Sequence, residues 1–372
     1  MPNPLLNTPS GAPRARSIPV AFDGEPGNCN AITDVEGVKV GYTTLIEGEG
    51  PLVVGKGPIR TGVTAILPRP HKDLAQPVFA GYHSFNGNGE LTGMHWIEEA
   101  GEMLWPITLT NTHSCGLARD ATIKWITSQS YENISVWSLP VAGETYDGDL
   151  NDINGFHVTD QHVFDAIDSA QSGPIEQGSV GGGTGMICYD FNAGSGTASR
   201  QVEIAGKRYT VGTFVQANFG RRPELVIAGV PVGRHLPGGE VRAKSMGSII
   251  AVIATDAPLL PNQLKRLARR ASLGIARSGT SGGNGSGDIF LAFSTQSIAA
   301  PGQEAPLKAV QYLSHESLDP IFAAVVQAVD EAIIDSIVTN IDLTGRDGIT
   351  AVGIPLDGLR KLLAGKPVRS QV

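Results

Sequence analysis

The stretch SIIAVIAT, residues 248–255, places a hydroxyl residue where a loop rich in Gly, Pro and charge meets an apolar run. Gly247 precedes the serine, and glycine permits strained backbone geometry and close attack on its own carbonyl. If the bond between Gly247 and Ser248 is cut, Ser248 gains an α-amine with a pKa of about 7.7–8.0. Such an amine can take the proton of the adjacent hydroxyl, so an N-terminal serine becomes a nucleophile without a histidine. A cut at this boundary would thus turn an ordinary strand residue into a candidate nucleophile.

Polar residues elsewhere in the chain could complete such a site. Ser286 and Asp288 are two apart at the start of an apolar run, so both side chains would point to one side of a strand and could relay a proton. Asn218 ends another strand-like run, where its amide could donate to an oxyanion. The segment ETYDGDLND offers Glu144, an acid that could hold a cationic substrate amine, together with Tyr146.

Other kinds of site find weaker support. His95 and Glu98 have helical spacing and Glu99 follows, but this set provides neither a third matching ligand nor HExxH, so no metal site is predicted. The segment VGGGTGM, 180–186, has no P-loop lysine and leads into a strand, which favours a tight turn over a phosphate site. No cofactor is expected.

A second serine resembles the nucleophile elbow of serine hydrolases. Residues 279–283, GTSGG, match GxSxG around Ser281. The elbow needs a strand before the serine and a helix after it, whereas here a helix is predicted before and a strand after. Ser281 is therefore rejected as an elbow nucleophile.

Composition limits the partners. The net charge of −8 argues against a general binder of nucleic acid or anionic membranes, and the 41% apolar content indicates a sizeable core. The basic cluster within 265–277 is interpreted as a solvated helix face. Three well-separated cysteines show no metal spacing or disulfide framework. Without a signal-peptide pattern or an apolar run of ~20 residues, a cytoplasmic protein is expected.

The elements that must position these residues are predicted from apolar patterns. Strands are predicted at 62–67, 77–82, 185–190, 200–217 (a hairpin), 224–232, 248–255, 288–295 and 350–355. Helices are predicted at 92–104, at 159–170 with Thr159 as N-cap, from Pro261 to a stop at Gly279, and at 318–338. Because several strands are apolar at almost every position, both of their faces must be covered. A single α/β domain over 1–372, with two sheets and outer helices, is predicted.

The chain resembles the L-aminopeptidase/D-esterase (DmpA-like) and β-aminopeptidase family. The resemblance rests on segments spread over nearly the whole chain: NAITDVEGVKVG, GKGPIRTGVTAILP, ETYDGDLND, VGGGTGM, VGTFVQANFG, SIIAVIATDAPLLP and NGSGDIFLAFST. It implies a four-layer αββα sandwich, like that of N-terminal-nucleophile hydrolases but with different connectivity. It also implies a homotetramer.

The resemblance assigns roles to the same residues. The precursor is expected to cut itself between Gly247 and Ser248 into 1–247 and 248–372, with Ser248 as the nucleophile. Ser286 and Asp288 match the supporting pair, and Asn218 matches the oxyanion donor. Glu144 matches the residue that binds the substrate amine. Tyr146 matches a tyrosine of the DmpA-like branch, and some β-peptide-cleaving members have Glu at the position of Asp288.

The resulting hypothesis is a metal-free aminopeptidase. It would release small N-terminal residues from peptides, amides and esters, including D-Ala amides and esters, through an acyl-enzyme on Ser248. Three alternatives remain open at this stage. They are a β-aminopeptidase, a self-cleaving acyltransferase of the ornithine acetyltransferase kind, and a binding protein without turnover.

Overall fold

The computed structural model describes residues 2–129, 131, 137–236, 239, 241, 247–296 and 309–364. The strands in these residues are β1 (Lys39–Glu47), β2 (Ile59–Leu67), β3 (Val78–Gly87), β4 (Glu102–Met103), β5 (Ile107–Asn111), β6 (Ala142–Thr145), β7 (Ile187–Cys188), β8 (Phe191–Asn192), β9 (Ser195–Ile204), β10 (Lys207–Asn218), β11 (Gly247–Thr255), β12 (Ser286–Ser294), β13 (Leu343–Thr344) and β14 (Thr350–Ala351). The α-helices are α1 (Met94–Ala100), α2 (Cys115–Ser128), α3 (Asp160–Asp168), α4 (Pro261–Arg277), α5 (Asp319–Val338) and α6 (Leu356–Leu363).

Two sheets form the centre of the molecule. The first has the order β1-β2-β5-β6, and the second has the order β4-β3-β12-β11-β10-β9. Apolar side chains fill the space between them, among them Ile66 and Leu109 from the first sheet and Phe214, Ile250 and Leu291 from the second. Helices α2 and α3 cover the outer face of the first sheet, and α4 and α5 cover that of the second. The predicted αββα sandwich is confirmed.

Strand β11 lies in the middle of the second sheet because its sequence suits burial on both faces. Every residue from Ser248 to Thr255 is buried. The strand pairs in parallel with β12 and antiparallel with β10. The centre of the sheet therefore fixes the position of Ser248 at the start of the strand.

Most of the long predicted elements are confirmed. Strands β2, β3, β11 and β12 and the β9–β10 hairpin cover the predicted runs, and α3, α4 and α5 begin close to the predicted caps. Thr159 is the N-cap of α3, and Pro261 is the first residue of α4. The helix predicted at 92–104 is shorter, since it ends at Ala100 before a left-handed Gly101.

One predicted strand is wrong. Residues 224–232 instead form a tight turn in which Ile227 and Val230 bridge. Ala228 and Gly229 both have positive φ, so the chain reverses there despite its apolar sequence. The runs at 185–190 and 350–355 contribute only the two-residue strands β7 and β14.

Helix α4 carries the basic cluster as a surface face that has partners within the chain. Lys265 pairs with Glu98 at 2.6 Å, and Arg270 lies over the ring of Phe322. The ion pair gives Glu98 a partner other than a metal. None of the helices in the described residues is both long and apolar enough to cross a membrane.

Candidate active site

The strand pairings of the second sheet bring predicted site residues next to Ser248. Asn218, the last residue of β10, lies opposite Ser248 on one side. Gly287 of β12 lies opposite on the other side, and its N–H donates to Ser248 Oγ at 3.2 Å. Ser248 is only 6% exposed. The candidate nucleophile is thus held between the end of β10 and the start of β12.

Ser286 and Asp288 flank Gly287 and point to one side of β12, as predicted. The Ser286 hydroxyl donates to Asp288 Oδ1 at 2.6 Å. Burial raises the pKa of Asp288, while hydrogen bonds from Ser286, Asn86 and the Ile249 backbone act in the opposite direction. Because each of these groups donates, the arrangement suits the ionised carboxylate.

The Asn218 side chain is held at both ends. Its Nδ2 donates to the carbonyl of Tyr146 at 2.8 Å, and its Oδ1 accepts from the Ile187 N–H at 2.9 Å. The amide is therefore fixed in orientation beside Ser248, as a pre-organised oxyanion donor must be. Tyr146 reaches the site through this backbone contact, and its ring lies against Gly148.

Glu144 comes from the first sheet, at β6, and faces the same region. One carboxylate oxygen accepts from the Glu90 N–H at 2.9 Å, and the other accepts from the Thr112 hydroxyl. A Cβ at Gly89 would lie 3.2 Å from both Glu144 Oε1 and Gly287 Cα, so the carboxylate stands next to the Gly287 peptide that contacts Ser248. Burial raises the pKa of Glu144, and the Thr112 and Glu90 hydrogen bonds oppose that shift.

Gly247 has no room for a side chain. A Cβ there would lie 2.2 Å from the Asn218 carbonyl oxygen and 2.8 Å from Phe219 Cα. Close packing against β10 therefore requires glycine here. The bond that precedes Ser248 can therefore approach Asn218 closely.

Sequence reasoning missed three groups that touch the predicted residues. They are Asn86, which contacts Asp288, and Thr112 and the Glu90 N–H, which contact Glu144. Only the polar run NGNGE at 86–90 gives a local signal, because Thr112 follows a strand that was not predicted. Rejected Ser281 is exposed in the loop before β12.

Known proteins match nearly the whole chain. The model of Peptidase family S58 matches residues 30–351. Beta-peptidyl aminopeptidase BapA of Sphingosinicella microcystinivorans is 50% identical over 366 residues, which are 94% of this chain and 92% of that protein.

Two solved structures are similar to this chain in both fold and sequence. The L-aminopeptidase D-Ala-esterase/amidase from Ochrobactrum anthropi, described as a new variant among the Ntn hydrolase fold, is 48% identical. Its TM-score is 0.88, and the match covers 94% of this chain and 98% of that one. A Burkholderia sp. beta-aminopeptidase is 45% identical, with a TM-score of 0.85 and coverage of 95% and 100%.

Proposed function

Because the chain belongs to peptidase family S58 and is an aminopeptidase, we propose that it matures by cutting itself between Gly247 and Ser248. The Ser248 hydroxyl attacks the Gly247 carbonyl carbon, and the acyl group moves from nitrogen to oxygen. Water then hydrolyses the ester, which leaves a carboxylate on Gly247 and a free α-amine on Ser248. The products are 1–247 and 248–372, folded together as one catalytic domain.

In the cut enzyme, we propose that Ser248 forms the acyl-enzyme. The substrate ammonium pairs with Glu144, and Tyr146 helps to line that pocket. The Ser248 amine takes the Oγ proton while Oγ attacks the scissile carbonyl, and the Asn218 amide donates to the oxyanion. The Ser248 ammonium then protonates the leaving amine. Water, deprotonated by the same amine, releases the amino acid, with Ser286 and Asp288 holding the amine in place.

One observation carries this proposal: the Gly287 N–H donates to Ser248 Oγ at the strand end that also carries Ser286 and Asp288. A peptide N–H fixes the hydroxyl, and a hydrogen-bonded acid stands one residue away on the same strand. The Glu144 carboxylate, adjacent to that peptide, supplies the charge that selects a free amine. The proposed steps therefore use only side chains, peptide groups and the Ser248 amine.

For substrates, we propose small N-terminal α-residues such as Gly and Ala, with D-Ala amides and esters also accepted. Tyr146 and Asp288, which resemble the DmpA-like branch, support this choice. The names of relatives at 50% and 45% identity favour β-amino acids as the second candidate. A panel of L-, D- and β-homo-alanyl amides decides between them, and the highest kcat/KM on the β-homo compound would reject the α preference.

The direct test of the nucleophile is Ser248→Ala. Denaturing mass spectrometry should find 1–247 and 248–372 in the natural protein and one intact chain in the variant, which should also lose activity. Ser281→Ala is the matched control and should be cut and active. An active natural protein that remains one intact chain, or full activity in Ser248→Ala, would refute the proposal.

We further propose that the cut units assemble as a homotetramer in the cytoplasm. The family resemblance supports this assembly. Light scattering of the cut protein measures the mass directly. A monomer at working concentration would contradict the tetramer.

A further inference from the structure

Strand β3 meets β12 irregularly beside the candidate site. Asp288 pairs with Asn86, but Ile289 pairs with Ser84, so Phe85 is an extra residue on β3. Such a β-bulge turns a side chain away from its regular direction, and bulges occur often next to active sites. Here Phe85 is half exposed, and the neighbouring Asn86 is directed toward Asp288.

The Asn86 amide makes two contacts that bear on Asp288. Its Nδ2 donates to Asp288 Oδ2 at 2.9 Å and to the Gly283 carbonyl at 3.3 Å. The same Gly283 carbonyl accepts the N–H of Ser286 at 3.0 Å. One side chain thus holds both the carboxylate and the turn that leads into Ser286.

We propose that Asn86 is a positioning residue of the aminopeptidase site. By holding Oδ2 of Asp288, it leaves Oδ1 to the Ser286 hydroxyl and so sets the direction of the Ser286–Asp288 hydrogen bond next to Gly287, whose N–H contacts Ser248. This inference rests on the proposed roles of Ser248, Ser286 and Asp288.

The direction follows from counting donors. A hydroxyl has one proton, and Ser286 gives its proton to Asp288 Oδ1. Toward any other neighbour, Ser286 can only accept, which suits the ammonium or amine that cleavage creates on Ser248. If Asp288 became protonated, it could donate to Ser286 and reverse the chain.

The surroundings of Asp288 make this donor important. Strand β3 contributes Asn86, β12 contributes Ser286, and β11 contributes the Ile249 N–H; no charged side chain among the described residues shifts its pKa. Asp288 is 4% exposed, so water cannot replace a lost donor easily. On cleavage, β11 adds the Ser248 ammonium as the facing charge.

Asn88 provides a matched control. It is an exposed asparagine two residues away that donates to the Gly285 carbonyl at 2.8 Å, in the same glycine-rich loop. The Asp288 hydrogen bonds come from other residues. Comparing the two positions separates an effect on the carboxylate from an effect on loop anchoring.

The first measurement is the pKa of Asp288, read by NMR of isotope-labelled aspartate carboxyl groups. The uncut Ser248→Ala background excludes the new amine, and Asp288→Asn assigns the signal. Asn86→Ala should raise the pKa by roughly one unit, and Asn88→Ala should leave it in place. Asn86→Asp keeps the shape but adds a like charge, so the pair should show one pKa raised further. An unchanged pKa in folded Asn86→Ala would overturn the proposal.

The second measurement is steady-state kinetics of the cut enzymes on an alanyl amide. Asn86→Ala should lower kcat roughly tenfold with little change in KM, whereas Asn88→Ala should stay within about twofold of the natural enzyme. Equal loss in both variants would assign Asn86 to loop anchoring and reject the positioning role. Full activity in Ser248→Ala would instead refute the proposed function, so the two failures are distinguishable.

Discussion

Glu144 illustrates how a single buried carboxylate can select a substrate. Each of its oxygens already accepts a hydrogen bond, from Glu90 N–H and from Thr112, so its position is set before substrate arrives. A bound ammonium adds charge pairing in a site with little water, where such a pair is stronger than at the surface. In the proposed function this carboxylate recognises the amine, while Ser248, Ser286 and Asp288, which are proposed to act on the scissile bond, lie on the second sheet.

Glu144→Gln should accordingly raise KM for substrates with a free amine by roughly 10- to 100-fold, because a charged hydrogen bond is lost. Self-cleavage should continue, since Gly247 in the precursor has no free amine to bind. Kinetics and denaturing mass spectrometry measure the two effects, and Glu98→Gln on the surface is the control. An uncut Glu144→Gln protein would show that this residue serves maturation rather than recognition.

Asp147, which follows Tyr146 in the sequence, is a buried acid whose proton should affect stability. Burial raises its pKa from 3.8 to about 7, against hydrogen bonds from Thr61, Asn151 and Asn111. The folded protein holds this proton more tightly than the unfolded chain. The contribution to the free energy of unfolding is therefore complete below pH 3.8 and is lost as the pH rises through about 7.

Asp147→Asn should remove this pH dependence. Relative to the natural residue, the variant should gain stability as the pH rises from about 4 to about 7, because over that range unfolding releases the proton that the folded natural protein holds. Denaturant midpoints in the uncut Ser248→Ala background measure the difference. Parallel curves for the two proteins over that range would contradict the assignment.

At the scale of elements, glycines set how closely helices approach the second sheet. A Cβ at Gly196 of β9 would lie 2.0 Å from the carbonyl oxygen of Ala332 in α5. Gly116 in α2, in contrast, has no atom within 4 Å of such a Cβ. The first glycine is required by packing, and the second is not.

Gly196→Ala should therefore lower the free energy of unfolding by about 1–3 kcal/mol, because α5 must move away from the sheet. Gly116→Ala should change it little or raise it by up to about 1 kcal/mol, as alanine favours helix. Urea denaturation of both variants measures the contrast. Equal stability of the two would mean that α5 adapts without strain.

The sequence predicted elements whose signals are local. Strand β11 is apolar throughout, and α4 has proline at its start and glycine after its end, so neighbouring residues suffice to define them. The strand predicted at 224–232 was wrong because the positive φ angles at Ala228 and Gly229 reverse the chain there despite its apolar composition.

Within the site, a spacing of two residues on β12 was enough to predict that the side chains of Ser286 and Asp288 lie on the same side of the strand. Asn86 could not be predicted, because it is 202 positions from Asp288 in the chain and meets it only through the pairing of β3 and a one-residue bulge. Residue type made Asn218 a possible oxyanion donor and Glu144 a possible amine-binding acid, and the family resemblance assigned them those roles. Their proximity required the stacking of two sheets.

On the scale of the whole molecule, the second sheet contains strands from both sides of the proposed cut. Strand β11 begins at Gly247 itself and β12 follows it, yet both lie between β3 and β10, which precede the cut. Helix α5 also follows the cut, and its buried Asp335 pairs with Arg14 near the chain start. The product 1–247 keeps the whole first sheet, but neither product contains the whole second sheet or the whole core between the two sheets.

The two products should therefore remain together under native conditions and separate only in denaturant. Size exclusion followed by denaturing mass spectrometry measures this, since both masses should appear in one native peak. Separating them exposes the β3–β12 and β10–β11 edges, which costs more than a surface contact would. A free 248–372 product in native buffer would contradict the interleaved assembly.

The central insertion of β11 and β12 also changes the molecularity of folding. Before the cut, the sheet closes within one chain, so its rate of formation does not depend on protein concentration. After the cut, the same sheet needs an encounter between two chains, and recovery from denaturant should grow with concentration and fail on dilution. The proposed maturation would thus turn a unimolecular folding reaction into a bimolecular one, and the cut enzyme would keep a structure that only its precursor can form alone.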